Sequence, residues 1–135
     1  MELKTSRQSV LYEDSELTIM LATDSMTKGH AIIEPKEQFS YFEKLPADLL
    51  KKIMSFAQLY VRIIKKTYNP KGYSMMQNQG QFSDRHYFSL HIIPRFSKEE
   101  FSCYYSDIEN PQAFEFSRIK EFLQVELKDS LNKKS

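Results

Sequence analysis

The chain has almost no cysteine, little glycine and no excess of charge. Its single cysteine, Cys103, excludes an internal disulfide framework and a cysteine-rich zinc site. One thiol is also compatible with a reducing compartment. The three glycines, Gly29, Gly72 and Gly80, form neither a G-x-x-x-x-G-K-S/T loop nor a G-x-G-x-x-G turn, so no glycine-rich phosphate cradle is encoded. Nineteen Lys and Arg against 18 Asp and Glu leave a formal charge of +1. That balance supplies no bulk attraction for nucleic acid or an acidic membrane. No apolar run is long enough to span a bilayer, and MELKTSRQSV lacks the apolar stretch of a signal peptide. Repeats, low-complexity blocks and flexible linkers are also missing. What is present is 135 residues, 41% hydrophobic and 13% aromatic, enough for one core. The expectation is a single-domain, soluble, cytoplasmic protein.

The first third reads as strands. Residues 9–12 and 17–21 are short apolar runs separated by Glu13-Asp14-Ser15-Glu16, the pattern of a hairpin. Ala31-Ile32-Ile33 is a third strand, entered through Lys28-Gly29-His30. Proline cannot donate to a ladder, so this strand is expected to end or become an edge at Pro35. Residues 46–68 form the strongest helix, with Leu49, Ile53, Phe56, Tyr60 and Ile64 at helical spacing and Leu50, Met54, Ala57 and Val61 widening the stripe. Pro46 suits its start, Lys65 and Lys66 suit its negative end, and Asn69-Pro70-Lys71-Gly72 stops it.

Residues 73–78 read as a strand, followed by a polar loop and a strand over 87–93 closed by Pro94. Residues 102–107 are a weaker strand or loop. Residues 116–131 look helical, with Ile119, Leu123, Leu127 and Leu131 four apart and Phe122 beside them. Residues 132–135 are expected to fray. Together these elements predict an α+β domain with a mainly antiparallel sheet.

The strand over 87–93 carries the functional signal. Alternation places Phe88, Leu90 and Ile92 on one face and Tyr87, Ser89 and His91 on the other. The first row is core. The second is either an ordinary wet face or a row of ligand-facing groups. His86 has the parity of the core face.

Three segments resemble the histidine-triad (HIT) family. His91-Ile92-Ile93-Pro94-Arg95 resembles the end of its His-x-His-x-His signature. Lys28-Gly29-His30-Ala31-Ile32-Ile33-Glu34-Pro35-Lys36 resembles its Gly-His, apolar strand, Pro-Lys segment. Met76-Gln77-Asn78-Gln79-Gly80 resembles its Asn-x-Gly strand end. The resemblance covers roughly residues 9–96 and leaves a C-terminal extension of about 97–135. It implies a HIT-like fold, a half-barrel sheet crossed by one long central helix with a C-terminal helix added, paired into a homodimer. It also implies a nucleotide ligand, with phosphate at the histidine strand and base and ribose near the hairpin. In the family the middle histidine attacks the α-phosphate to give a nucleotidyl-histidine intermediate. Imidazole suits that role because it is nucleophilic when neutral and leaves well when protonated.

Anchored on His91 as the third histidine, the middle position is Ser89 and the first is Tyr87. The attacking imidazole is missing. A serine hydroxyl needs a positioned base. His91 lies two residues along the same face, roughly 6.5–7 Å away at Cα. Neither an acid partner for His91 nor an oxyanion hole is identifiable. His86 faces the wrong way in a regular strand, and no glycine marks a bulge that would re-aim it. Ala22 stands where the family often has a ribose-holding side chain, with Asp24 nearby. Asp84 stands where a carboxylate would repel phosphate.

The reading is therefore a degenerate HIT-like protein that binds a nucleotide or nucleotide-like ligand without histidine-nucleophile chemistry. The candidate ligand-binding residues are His30, Asn78, Tyr87, Ser89, His91 and Arg95. Ser89 and His91 stand at the catalytic positions. His30 is equally readable as a structural imidazole, and Arg95 as a surface arginine. Two alternatives stay open: an active nucleotide phosphoramidate or dinucleoside polyphosphate hydrolase or transferase with a relocated catalytic group, and a non-catalytic dimeric scaffold. No cofactor is expected. No metal site is expected either, because His86 and His91 have opposite parity and cannot converge from one strand. The aromatic cluster Phe101, Tyr104, Tyr105, Phe114 and Phe116 reads as core or dimer contact, and Cys103 as inert.

Overall fold

The computed structural model describes residues 9–22, 27–80, 86–97 and 113–133, with the backbone alone for 113–117 and 133. Five strands form one sheet in the order β1-β2-β3-β5-β4. They are β1 (Val10–Glu13), β2 (Leu17–Leu21), β3 (Ala31–Pro35), β4 (Gly72–Met76) and β5 (Leu90–Arg95), and every paired neighbour is antiparallel. Helix α1 (Ala47–Tyr68) crosses one face, and α2 (Ala113–Lys133) packs against α1 and β1. This is the expected α+β architecture.

The β1–β2 hairpin forms because Asp14 organises its turn. The Asp14 carboxylate accepts the Glu16 and Leu17 amides at 2.8 and 3.0 Å, a short polar side chain serving backbone groups that the ladder leaves open. Alternation then sends Leu17, Ile19 and Leu21 of β2, Ala31 and Ile33 of β3, and Leu90 and Ile92 of β5 into one core with α1. On the opposite face Met20, Ala22 and Ile32 form a second cluster with Val10 against it.

Helix α1 begins one residue after its N-cap, Pro46, and ends at Asn69, whose left-handed φ of 48° closes it with an N–H bond to the Lys65 carbonyl. Three of its residues depart from the single stripe read from the sequence, and one of them, Met54, belongs to that stripe yet is exposed. Leu59 and Ile63 are buried although they lie off that stripe. They share a helix face with Lys66, which pairs with Glu126 of α2 at 3.8 Å. The helix is therefore covered on two sides. Each aliphatic side chain so buried contributes about 1.5–3 kcal/mol. In α2, Ile119, Leu123, Leu127 and Leu131 face the core as expected, whereas Phe122 is exposed. Gln124 Nε2 donates to the Val10 carbonyl at 2.9 Å.

Strand ends need correction. The strand expected over 87–93 is β5, and it starts three residues later and runs through Pro94 to Arg95. The late start has a local cause. His86 is left-handed (φ 62°), and the Phe88 amide donates to Phe39 O at 2.6 Å, so the approach is tied to the loop after β3. The late finish is possible because β3 pairs with β5 only over Ala31–Ile92, Ile32–His91 and Ile33–Leu90. Pro94 lies beyond that seam and needs no donor on that side. Pro35 is likewise the last residue of β3, past the same seam at its other end, although β3 itself is an inner strand. Strand β4 stops at Met76, so Asn78 lies past its end. Helix α2 is longer than residues 116–131 and runs on to Lys133.

Candidate functional site

The site is built where β3 and β5 lie side by side. The register sets Ile32 opposite His91, so His91 belongs to the face away from α1. His30 sits two residues before Ile32, at the entrance to β3. Sixty-one positions apart in sequence, His30 Nε2 and His91 Nδ1 lie 2.9 Å from each other. Their ring centroids are 5.2 Å apart and tilted by 53°. His30 is 0% and His91 3% exposed.

One hydrogen serves that contact, and one ring donates while the other accepts. Burial, followed by the repulsion that a charged His91 would exert, pushes the His30 pKa down to about 3 from 6.5. His30 is therefore a neutral imidazole at pH 7. The pair can act in two ways. If His30 donates, His91 keeps an Nε2–H that can be given to an anion. If His30 accepts, His91 Nε2 is a lone pair that can take a proton.

The backbone around His30 is held tightly. The Ala22 amide donates to the His30 carbonyl at 2.8 Å. Gly29 is left-handed (φ +81°), and Tyr60 of α1 donates its buried hydroxyl to the Gly29 carbonyl at 2.8 Å. Burial pushes the Tyr60 pKa well above its ordinary value, so the hydroxyl stays a donor.

The remaining candidates lie on or next to β4 and β5. Ser89 is 8% exposed and precedes the first residue of β5; Tyr87 is half-buried. The row expected as either wet or ligand-facing is thus buried at Ser89 and His91. The bond that His91 makes with a described side chain goes to His30 rather than Ser89. Asn78 is half-buried beyond β4, where its carbonyl accepts from Gln79 Nε2 at 3.2 Å. Gln79 Oε1 in turn accepts the Phe42 amide at 2.9 Å. Arg95 ends β5 half-buried. His86 is exposed and outside any strand, so the parity argument made for it does not apply. Among the described residues no group of three or more His, Cys, Asp or Glu could hold a metal ion. Asp24, Asp84, Cys103, the segment 102–107 and the side chains of Phe101, Tyr104, Tyr105, Phe114 and Phe116 lie outside the described residues. Among the described residues no helix is long and apolar enough to cross a membrane.

Sequence reasoning missed Tyr60, which it counted as one aromatic in a core stripe. A signal existed: a buried tyrosine carries a hydroxyl that needs a partner where phenylalanine would need none.

Comparison with known proteins fits this geometry. The chain is 26% identical over 103 residues to an uncharacterised HIT-like protein of Methanocaldococcus jannaschii, covering 75% of this chain and 79% of that one. It is 29% identical over 87 residues to an adenylylsulfatase of Arabidopsis thaliana, covering 63% of this chain and 44%, less than half, of that relative. Among solved structures, a hypothetical histidine triad nucleotide-binding protein of Sulfolobus tokodaii superposes with a TM-score of 0.72 at 18% identity, covering 90% of this chain and 84% of the other. The family model for the HIT domain matches residues 4–98, most of the chain, and the protein therefore belongs to the HIT domain family.

Proposed function

We propose that this is a HIT-domain protein that binds a nucleotide or nucleotide-like ligand without the histidine-nucleophile chemistry of its family. Proteins of the family are typically nucleotide-binding hydrolases. The observation that carries the reading is Ser89 at the middle-histidine position, beside a His91 whose Nδ1 is already engaged by His30. A serine hydroxyl needs a bonded base to be a good nucleophile at pH 7, and the His91 nitrogen that faces a described side chain is bonded to His30. His91, Ser89, Tyr87, Asn78 and Arg95 remain as candidate donors for phosphate oxygens, with His30 bonded to His91. The names of two similar proteins, an adenylylsulfatase and a nucleotide-binding protein, point to a nucleotide as the ligand class.

Calorimetric titration with AMP, GMP and ADP should give heat with at least one of them. Silence with all three would leave the scaffold reading in its place. Adenosine phosphoramidate and dinucleoside polyphosphates should be turned over far more slowly than by a member with all three histidines. Comparable turnover, lost on Ser89→Ala, would establish serine chemistry instead. Restoring imidazoles with Tyr87→His and Ser89→His should produce slow phosphoramidate cleavage.

The active alternative keeps one supporting feature. His86 is exposed and left-handed rather than locked in a strand. If it were a relocated nucleophile, turnover would survive Ser89→Ala and vanish with His86→Ala.

The homodimer that the family implies has a face to use. Strand β4 ends the sheet, with Tyr73 and Met75 exposed along it. Beside them Met54, Ala57, Gln58, Val61 and Arg62 of α1 line an open cleft of about 570 Å³. A second copy related by a two-fold axis would pair edge with edge and fill that cleft. Solution scattering should give the dimer mass, and Met54→Lys with Met75→Lys should give the monomer.

A further inference from the structure

The Cα–Cβ bond, from which a side chain's rotamer starts, is fixed once the two peptide planes that meet at its Cα are fixed. Both planes are pinned at His30. The following peptide is held through the His30 carbonyl, which accepts the Ala22 amide at 2.8 Å. The preceding peptide is held through the Gly29 carbonyl, which accepts the Tyr60 hydroxyl at 2.8 Å inside the core. Gly29 offers little resistance of its own, because glycine adopts many backbone angles at low cost. It is located by packing: a Cβ there would stand 2.8 Å from Ile64 Cδ1 and 3.4 Å from Pro94 Cγ. Contact locates the residue but does not orient its carbonyl. The Tyr60 hydroxyl does.

We infer that Tyr60 is a positioning residue, whose hydroxyl, acting through the Gly29 carbonyl, keeps His30 Nε2 within reach of His91 Nδ1 and thereby couples the tautomers of the two rings, one donating where the other accepts. Tyr60 is 1% exposed among aliphatic neighbours, so phenylalanine fills its space. That change removes the donor and strands a buried carbonyl, which would turn toward another partner. The Gly29–His30 peptide would turn with it, and the imidazole pair would lose its fixed hydrogen. Helix α1, on one face of the sheet, in this way sets the protonation geometry of a group on the other.

The test is a long-range proton–nitrogen spectrum of the imidazoles in the full chain. The wild type should show complementary tautomers, with one hydrogen shared between His30 Nε2 and His91 Nδ1. Tyr60→Phe should move both sets of ring-nitrogen shifts toward those of two rings that no longer share a hydrogen. Leu127→Ala, which loosens the same core from α2, should leave them in place. Unchanged ring nitrogens in Tyr60→Phe, or equal movement in Leu127→Ala, would overturn the inference. Should Tyr60→Phe fail to fold, the wild type carries the test: on warming, the Gly29 carbonyl carbon and the two imidazoles should shift together, and independent movement would refute the coupling. A second arm rests on the nucleotide-binding reading. AMP affinity in Tyr60→Phe should fall about tenfold if a tenth of the molecules keep the competent tautomer. Wild-type protein that ignores AMP would defeat that reading alone, and the nitrogen spectra would still decide the role of Tyr60.

Discussion

Two polar clusters sit on the same sheet and are built on opposite plans. At the hairpin, Lys52 of α1 reaches Asp14 at 2.9 Å and Glu16 at 2.7 Å, while the Tyr12 hydroxyl donates to Asp14 at 2.8 Å. Between β3 and β5, His30 and His91 meet ring to ring and share one hydrogen. The first cluster is open enough to water to keep its charges. Partial burial resists ionisation of Asp14, yet hydrogen bonds from Lys52, the Glu16 and Leu17 amides and Tyr12 outweigh it and hold its pKa at about 2. The second is buried so deeply that His30 gives up its charge instead. The difference teaches that residue type and burial act together here: a carboxylate with a lysine beside it stays ionic at the rim, while a buried imidazole pair stays neutral, which separates a structural clasp from a site that could exchange a proton with a ligand.

The sharpest way to break the comparison is at the seat of the buried pair. Gly29→Ala forces a left-handed alanine and a methyl 2.8 Å from Ile64 Cδ1, and should cost about 3 kcal/mol in urea unfolding. The next largest effect is His30→Leu, which leaves His91 Nδ1 buried without its partner and should cost about 2 kcal/mol. Acid sharpens the contrast. His30 is neutral when folded and takes a proton near pH 6.5 when unfolded. Its contribution is fully present above pH 6.5 and is lost as pH falls toward about 3. That limb of the pH–stability curve should disappear in His30→Leu.

At the hairpin the effects are smaller. Asp14 has a depressed pKa, so its contribution is present above pH 4 and is lost as pH falls through about 2. Asp14→Asn keeps an oxygen for the turn amides and removes the charge. Discounted for its 22% exposure, the loss should be about 1 kcal/mol at pH 7. Lys52→Met should cost about 0.5 kcal/mol, and the difference should shrink in high salt, where surface pairs are screened.

Much of this was legible from residues alone. The hairpin, the long helix and the order of elements follow from local patterning, since Glu13-Asp14-Ser15-Glu16 and the Leu49-to-Ile64 stripe act over short range. The HIT resemblance placed His30 and His91 among the candidates. Their pairing was not legible, because it depends on β3 and β5 becoming neighbours in one register. The start of β5 was misplaced for a similar reason: the Phe39 carbonyl, 49 residues earlier, claims the Phe88 amide. Alternation cannot report such a competitor. The missing glycine also misled the reading, since His86 adopts the left-handed conformation itself, as histidine does more readily than most residues. The burial of Leu59 and Ile63 needed knowledge that α2 would return to cover them.

The seam between β3 and β5 has a mechanical meaning. It is three register pairs long, against five where β3 meets β2 and five where β5 meets β4. A proline lies two residues beyond the last pair at each end, and neither can donate a further bond. Tension applied across the sheet concentrates on that short zip, and its amides should exchange with heavy water before those of the flanking ladders. The two imidazoles span this tear line, one on each side.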